Sequence, residues 1–90
     1  MSAQMLAEFI GTFILVTAIL FAGQPVYIAA GFLAAITIAG GISGGHLNPA
    51  VSLAMVAKGD LNVAQFAQYA GAQVAGALFA LLVFKSMKKM

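Results

Sequence analysis

From Phe9 to Ala57 the chain carries no Asp, Glu, Lys or Arg, yet that run holds the polar, glycine-rich stretch Ser43-Gly44-Gly45-His46-Leu47-Asn48-Pro49-Ala50-Val51-Ser52. This juxtaposition constrains the fold more than any other feature. Backbone groups of an irregular segment cannot face lipid, where each unsatisfied one costs several kcal/mol. Such a segment is tolerated at membrane depth only where protein surrounds it or where it lines a watery cavity. Asn48-Pro49 reads as a helix start, because Asn is a favoured N-cap and Pro lacks an N–H that would be unpaired there. The helix continues from Ala50 to Ala57, and Lys58-Gly59 ends it. About nine residues at ~1.5 Å each give ~13 Å, under half of a ~30 Å hydrocarbon core. The segment is a half-helix that enters the membrane and returns.

Composition places the rest of the chain in lipid. Of 90 residues, 63% are hydrophobic and 7% charged, and the mean hydropathy is +1.08. A soluble domain of this size exposes most of its surface and needs charge to stay in solution. A net charge of +2 built from so few groups argues against a nucleic-acid partner. There is no cysteine, hence no disulfide or thiolate site. The N-terminus lacks the basic region of a cleaved signal peptide, and Glu8 interrupts the apolar segment behind it, so that segment is expected to be mature sequence.

Three apolar segments are long enough to cross a bilayer: residues 3–22, 25–41 and 63–84. Residues 42–57 form the re-entrant loop and half-helix between the second and third. Gly23-Gln24-Pro25 marks a turn, and Asn62 with Gln65 resembles a capping box at the start of the third span. Lys85, Lys88 and Lys89 are expected to end the chain in water. In that span Ala67, Gly71 and Ala75, and likewise Ala72, Gly76 and Ala80, recur every four residues. Small residues at this spacing predict close helix packing in lipid. The expected architecture is an all-α membrane protein with three transmembrane helices and one re-entrant half-helix, forming a single unit over residues 1–90.

Polar residues at depth need partners. A carboxylate inside a span normally faces the protein interior, so Glu8 is expected to accept hydrogen bonds from the N–H groups of the glycine-rich loop. Gln73, mid-span in the third helix, is expected to give similar support. His46 is the one histidine, with no Cys or Asp near it in sequence. A structural role in the loop therefore outweighs a metal site. Nothing in the chain forms a nucleophile–base pair, a phosphate loop or a cofactor motif, so neither an enzyme nor a bound cofactor is expected.

The ten residues from Ser43 to Ser52 resemble the signature loop of the aquaporin and glycerol-facilitator family, the major intrinsic proteins. Two further motifs follow the same family order. Ala7-Glu8-Phe9-Ile10-Gly11-Thr12-Phe13 is similar to the opening A-E-F-x-G-T-F, and Tyr69 to Ala77 is similar to the third-span pattern ending A-Q-x-x-G-A. The resemblance implies one repeat of a fold that usually carries two, inverted in the membrane, with half-helices meeting at the midplane. Val51 follows the N-P-A triplet where second repeats usually carry Arg, so this chain resembles a first repeat. The implied activity is a passive channel for water and small uncharged solutes such as glycerol. Asn48, Pro49 and Ala50 would form the constriction, with the Asn48 amide as donor. Gly44, Gly45 and His46 would supply carbonyl acceptors on an extended backbone, and Val51 with Ile28 in the second span would stand at the filter positions. The chain has no arginine, so the family's outer filter cannot take its usual form.

A single repeat reaches only the midplane, so the pore would be completed by a second copy in lipid. An antiparallel homodimer is the expected form, and such pores are expected to cluster as the family's tetramers. Lys58 and the terminal amine on one side, against Lys85, Lys88 and Lys89 on the other, give a weak topological bias. The rivals are a separate second-repeat partner, a detached first half of a longer channel, and a non-conducting scaffold or hole-forming protein. The Met start and lysine-rich end suggest a complete chain. The expected location is the plasma or inner membrane, with multiple passes.

Overall fold

The computed structural model of the chain describes residues 1–88. The helices are α1 (Ala3–Phe21), α2 (Pro25–Ser43), α3 (Pro49–Lys58) and α4 (Val63–Lys88). Three of them, α1, α2 and α4, are long and apolar enough to cross a membrane. At 10 residues, α3 spans ~15 Å and cannot. The protein is therefore an all-α, multi-pass membrane protein with one short helix between its second and third spans.

Each helix boundary has a local cause. The Ser2 side chain accepts from the Met5 N–H at 3.1 Å and caps α1. The α1–α2 turn closes on Gly23, whose φ of +70° puts it in the left-handed region. Pro25 then opens α2 at a position where no amide hydrogen is needed. The capping box at α4 is reciprocal: Gln65 N–H donates to Asn62 Oδ1 at 2.7 Å, and Asn62 N–H to Gln65 Oε1 at 2.9 Å. Two helices outrun the spans expected from sequence. α2 continues two residues further, to Ser43, because Ser43 is tied into the interior; α4 continues to Lys88, keeping Lys85 and Lys88 in its last turn. Lys89 lies outside the described residues.

α1 stands at the centre, packed against α2 on one side and α4 on the other, while α3 packs against α4. Residues 7, 8, 11 and 12 bury one stripe of α1, and residues 69, 72, 73, 76 and 80 bury one stripe of α4. The apolar core is built from Ala7, Ala35, Ala39 and Leu47, with Ile14 and Leu15 packed against it. Small side chains let the helix axes approach, and close packing must hold a membrane protein together because lipid is as apolar as leucine. Gly76 shows how close the approach is: a Cβ there would run into the Phe9 carbonyl oxygen and lie 3.2 Å from Phe13 N. The other small-residue series does not pack in this chain. Ala67, Gly71 and Ala75 are exposed, and nothing lies within 4 Å of a Cβ placed on Gly71. Residues 71 and 76 fall on different faces of one helix, and only the face toward α1 has a neighbour.

The short helix enters and leaves on one side. Ser2 and Gln4 at the start of α1 line a recess of about 290 Å³ together with Asp60 and Gln65, which follow α3. Gly59, at φ +102°, ends α3 with its N–H on the Met55 and Val56 carbonyls. Lys58 and Asp60 then pair at 3.0 Å in an exposed ion pair that contributes little.

Candidate functional site: a re-entrant loop held by a buried carboxylate

The loop from Gly44 to Asn48 is turned inward by backbone conformations that few sequences allow. Gly44 and Gly45 have φ of +91° and +63°, and Leu47 has φ of +60°. The sequence pointed to an extended loop; the structure corrects that, since two glycines in succession take the left-handed region to fold the loop back beneath α2. Leu47 adopts the same region at a cost that its burial offsets. Its side chain is 3% exposed and packs over Gly11, where a Cβ would lie 2.5 Å from Leu47 Cδ2.

The polar groups of this loop converge on Glu8, which is completely buried. His46 N–H donates to Glu8 Oε2 at 3.0 Å and Leu47 N–H donates to Oε1 at 2.8 Å. The Ser43 hydroxyl donates to Oε2, and Gln73 Nε2 donates to Oε1 at 2.8 Å. Each carboxylate oxygen thus takes two donors, the full complement of its lone pairs. Glu8 sits about one and a half turns into α1, so it reaches the loop from the helix at the centre of the fold. Gln73 does not bond the loop N–H groups. It bridges Glu8 to Ser52, donating to Ser52 Oγ at 3.0 Å.

His46 and Asn48 complete the arrangement. His46 Nδ1 lies 2.9 Å from Ser52 Oγ, and its ring packs against Tyr69 with centroids 4.9 Å apart. Tyr69 in turn donates from its hydroxyl to the Ser43 carbonyl at 2.8 Å. Asn48 Oδ1 accepts from Ala50 N–H at 2.8 Å, capping α3. That contact turns the amide nitrogen of Asn48 away from its own helix. Asn48, Pro49, Ala50, Val51 and Gly44 are exposed, while Gly45 and His46 are half-buried. Among the described residues the carbonyls of Gly44, Gly45 and His46 accept no hydrogen bond. Ile28 stands apart, half-buried on α2 and some 22 Å of helix from the Ser43 end.

Ser43, Ser52, Tyr69 and Thr12 escaped the sequence reading as members of the site. Ser43 and Ser52 are hydroxyls inside the uncharged run, and Tyr69 precedes Gln73 by one helical turn. Those spacings were the available signal. Beside the start of α3 lies an open groove of about 300 Å³, lined by Thr12, Leu15, Leu47, Asn48, Pro49 and Gln73 among others. Thr12 Oγ1 and Gln73 Oε1 are buried at this groove without a hydrogen-bond partner. No group of His, Cys, Asp or Glu among the described residues is placed to hold a metal ion.

Three spanning helices and a capped half-helix, whose glycine-rich entry is held by a buried carboxylate, define a class of membrane protein in which backbone is brought to the membrane interior. The family model described as Major intrinsic protein matches residues 1–90, so the chain belongs to the major intrinsic protein family. It is similar to "Glycerol uptake facilitator protein-like 6" of Lactiplantibacillus plantarum, 42% identical over 90 residues covering 90% of this chain and 42% of that protein. It is 41% identical to human "Aquaporin-9" over 86% of this chain and 31% of that protein. With "Aquaporin Z" of Brucella melitensis the identity is 43%, over 86% of this chain and 40% of the relative. The chain thus spans less than half the length of these curated relatives. No solved structure matches it.

Proposed function

We propose that this chain is one half of a passive transmembrane channel for water and small uncharged solutes such as glycerol. The observation that carries the reading is the state of Asn48. Its Oδ1 is committed to Ala50 N–H, so its amide nitrogen is left as a donor at the exposed N-terminus of α3. Uncommitted carbonyls at Gly44, Gly45 and His46 supply acceptors alongside it. A hydroxyl-bearing solute gives up its hydration only if donors and acceptors replace it, and this loop offers both. The positive end of the α3 dipole points the same way and opposes cations. Pro49 and Ala50 complete the proposed constriction, and Val51 and Ile28 are the proposed filter positions, in the absence of any arginine. Nothing in this process breaks a covalent bond, which argues for a transporter rather than an enzyme.

The open groove supports completion of the pore by a second half. Lipid tails carry no donors, so Thr12 Oγ1 and Gln73 Oε1 would stay unpaired against acyl chains. A second copy, inserted upside down as an antiparallel homodimer, is the simplest source of the missing half. A separate complementary protein is the second reading, favoured by the relatives being more than twice as long. Stopped-flow shrinkage of vesicles holding only this purified chain tests both. Water and glycerol flux without sodium or potassium current is the expected result. Absence of flux from the chain alone would reject the homomeric channel, and ohmic cation currents would reject the selectivity.

A further inference from the structure

We propose that Ser52 fixes the tautomer of His46, so that the ring presents its Nε2–H as a hydrogen-bond donor beside the free carbonyls of the loop. The protons of the buried network fix this, beginning at Glu8. A carboxylate oxygen only accepts, so the end of the Gln73 amide that faces Glu8 Oε1 at 2.8 Å is the NH2 group. That nitrogen has two hydrogens. One goes to Glu8, and the second points at Ser52 Oγ, 3.0 Å away. Ser52 therefore accepts from Gln73 and must place its own hydroxyl hydrogen elsewhere.

Few places remain. Ser52 is completely buried, so water is not a partner. Thr37 and Ser86 each return their hydroxyl to the carbonyl four residues earlier. Ser52 makes no such bond among the described residues; its contacts are Gln73 Nε2 and His46 Nδ1. The one acceptor left is Nδ1, at 2.9 Å. If Nδ1 carried the ring proton instead, Ser52 would be left with a buried hydroxyl hydrogen and no acceptor, a state that folded proteins avoid. Nδ1 is therefore bare and the ring proton sits on Nε2.

Nε2 makes no hydrogen bond among the described residues, and His46 is half-buried rather than enclosed. Gly44 keeps it uncovered, since a Cβ there would lie 3.2 Å from Nε2. The consequence is a donor set among acceptors, suited to molecules that accept and donate together, namely water and small alcohols. The tautomer stands on the network alone. Its role toward a solute rests on the channel reading.

The test is nitrogen-15 magnetic resonance of the labelled chain in lipid, in mildly alkaline buffer. His46 is the single histidine, so both ring signals are its own, and their couplings to the ring carbons tell Nδ1 from Nε2. The wild type should show one bare nitrogen at Nδ1 and one proton-bearing nitrogen at Nε2, with magnetisation exchange between Nε2–H and water. Ser52→Ala should add a population carrying its proton on Nδ1. A wild-type ring protonated on Nδ1 would overturn the proposal without any substitution. A Ser52→Ala ring that keeps one Nε2–H tautomer would remove Ser52 from the role. Lack of exchange with water would deny His46 a part in solute contact. Vesicles without flux but with the expected spectrum would reject the channel and leave the tautomer standing.

Discussion

Glu8→Gln separates a carboxylate that organises the loop from one that merely fits there. Glutamine is nearly the same shape but keeps only one acceptor oxygen. In the wild type Oε2 accepts from Ser43 and His46, and Oε1 from Leu47 and Gln73. Whichever way the new amide turns, its NH2 group faces one backbone N–H that cannot adapt, His46 or Leu47, and one side chain, Ser43 or Gln73, that can turn to accept. Orphaning that buried N–H gives a destabilisation of about 1–3 kcal/mol. Water is a poor substitute, because Glu8 is completely buried. Glu8→Ala removes both acceptor oxygens and the four hydrogen bonds they accept, and should cost more, less whatever is regained by water entering the space it leaves. Reversible unfolding of the purified chain by SDS in mixed micelles, followed by helix circular dichroism, measures both. A Glu8→Gln variant within about 0.5 kcal/mol of wild type, the range of an ordinary surface substitution, would refute the reasoning.

Asn48→Ala should lose the α3 cap, for a destabilisation of about 1 kcal/mol, and should abolish water flux in vesicles; a variant that conducts as before would remove Asn48 from the constriction. Gly76→Ala should destabilise by about 1–3 kcal/mol because the new methyl meets the α1 backbone. Gly71→Ala, on the open face of α4, should be neutral or stabilising by up to about 1 kcal/mol through helix propensity. Equal losses at both positions in SDS unfolding would contradict the one-sided packing. Single cysteines at Ser2 and at Met90 should each react from both sides of the membrane in intact cells, as an antiparallel homodimer requires. Reaction from one side only would exclude it.

The sequence alone determined which segments enter lipid and which one cannot cross it. Hydropathy and length are local properties, and so are the Asn48-Pro49 start, the Gly59 stop and the Asn62–Gln65 box. None of these depends on what packs beside them. The same information left open which small-residue series meets a neighbour, since Gly71 and Gly76 look alike in a one-dimensional pattern. Only the position of α1 decides that Gly76 is in contact and Gly71 is not. The loop shows the division most clearly. That Glu8 needed donors was legible from the cost of a charge in lipid. That Gln73 serves Glu8 and Ser52 rather than the loop, and that Tyr69 holds Ser43, was not. These partners lie 65, 21 and 26 residues apart in sequence. Glu8 and Gln73 meet because small residues let α1 and α4 close to backbone contact, while the other two pairs join α4 to α3 and to the end of α2; each meeting belongs to the assembled helices rather than to any stretch of the chain.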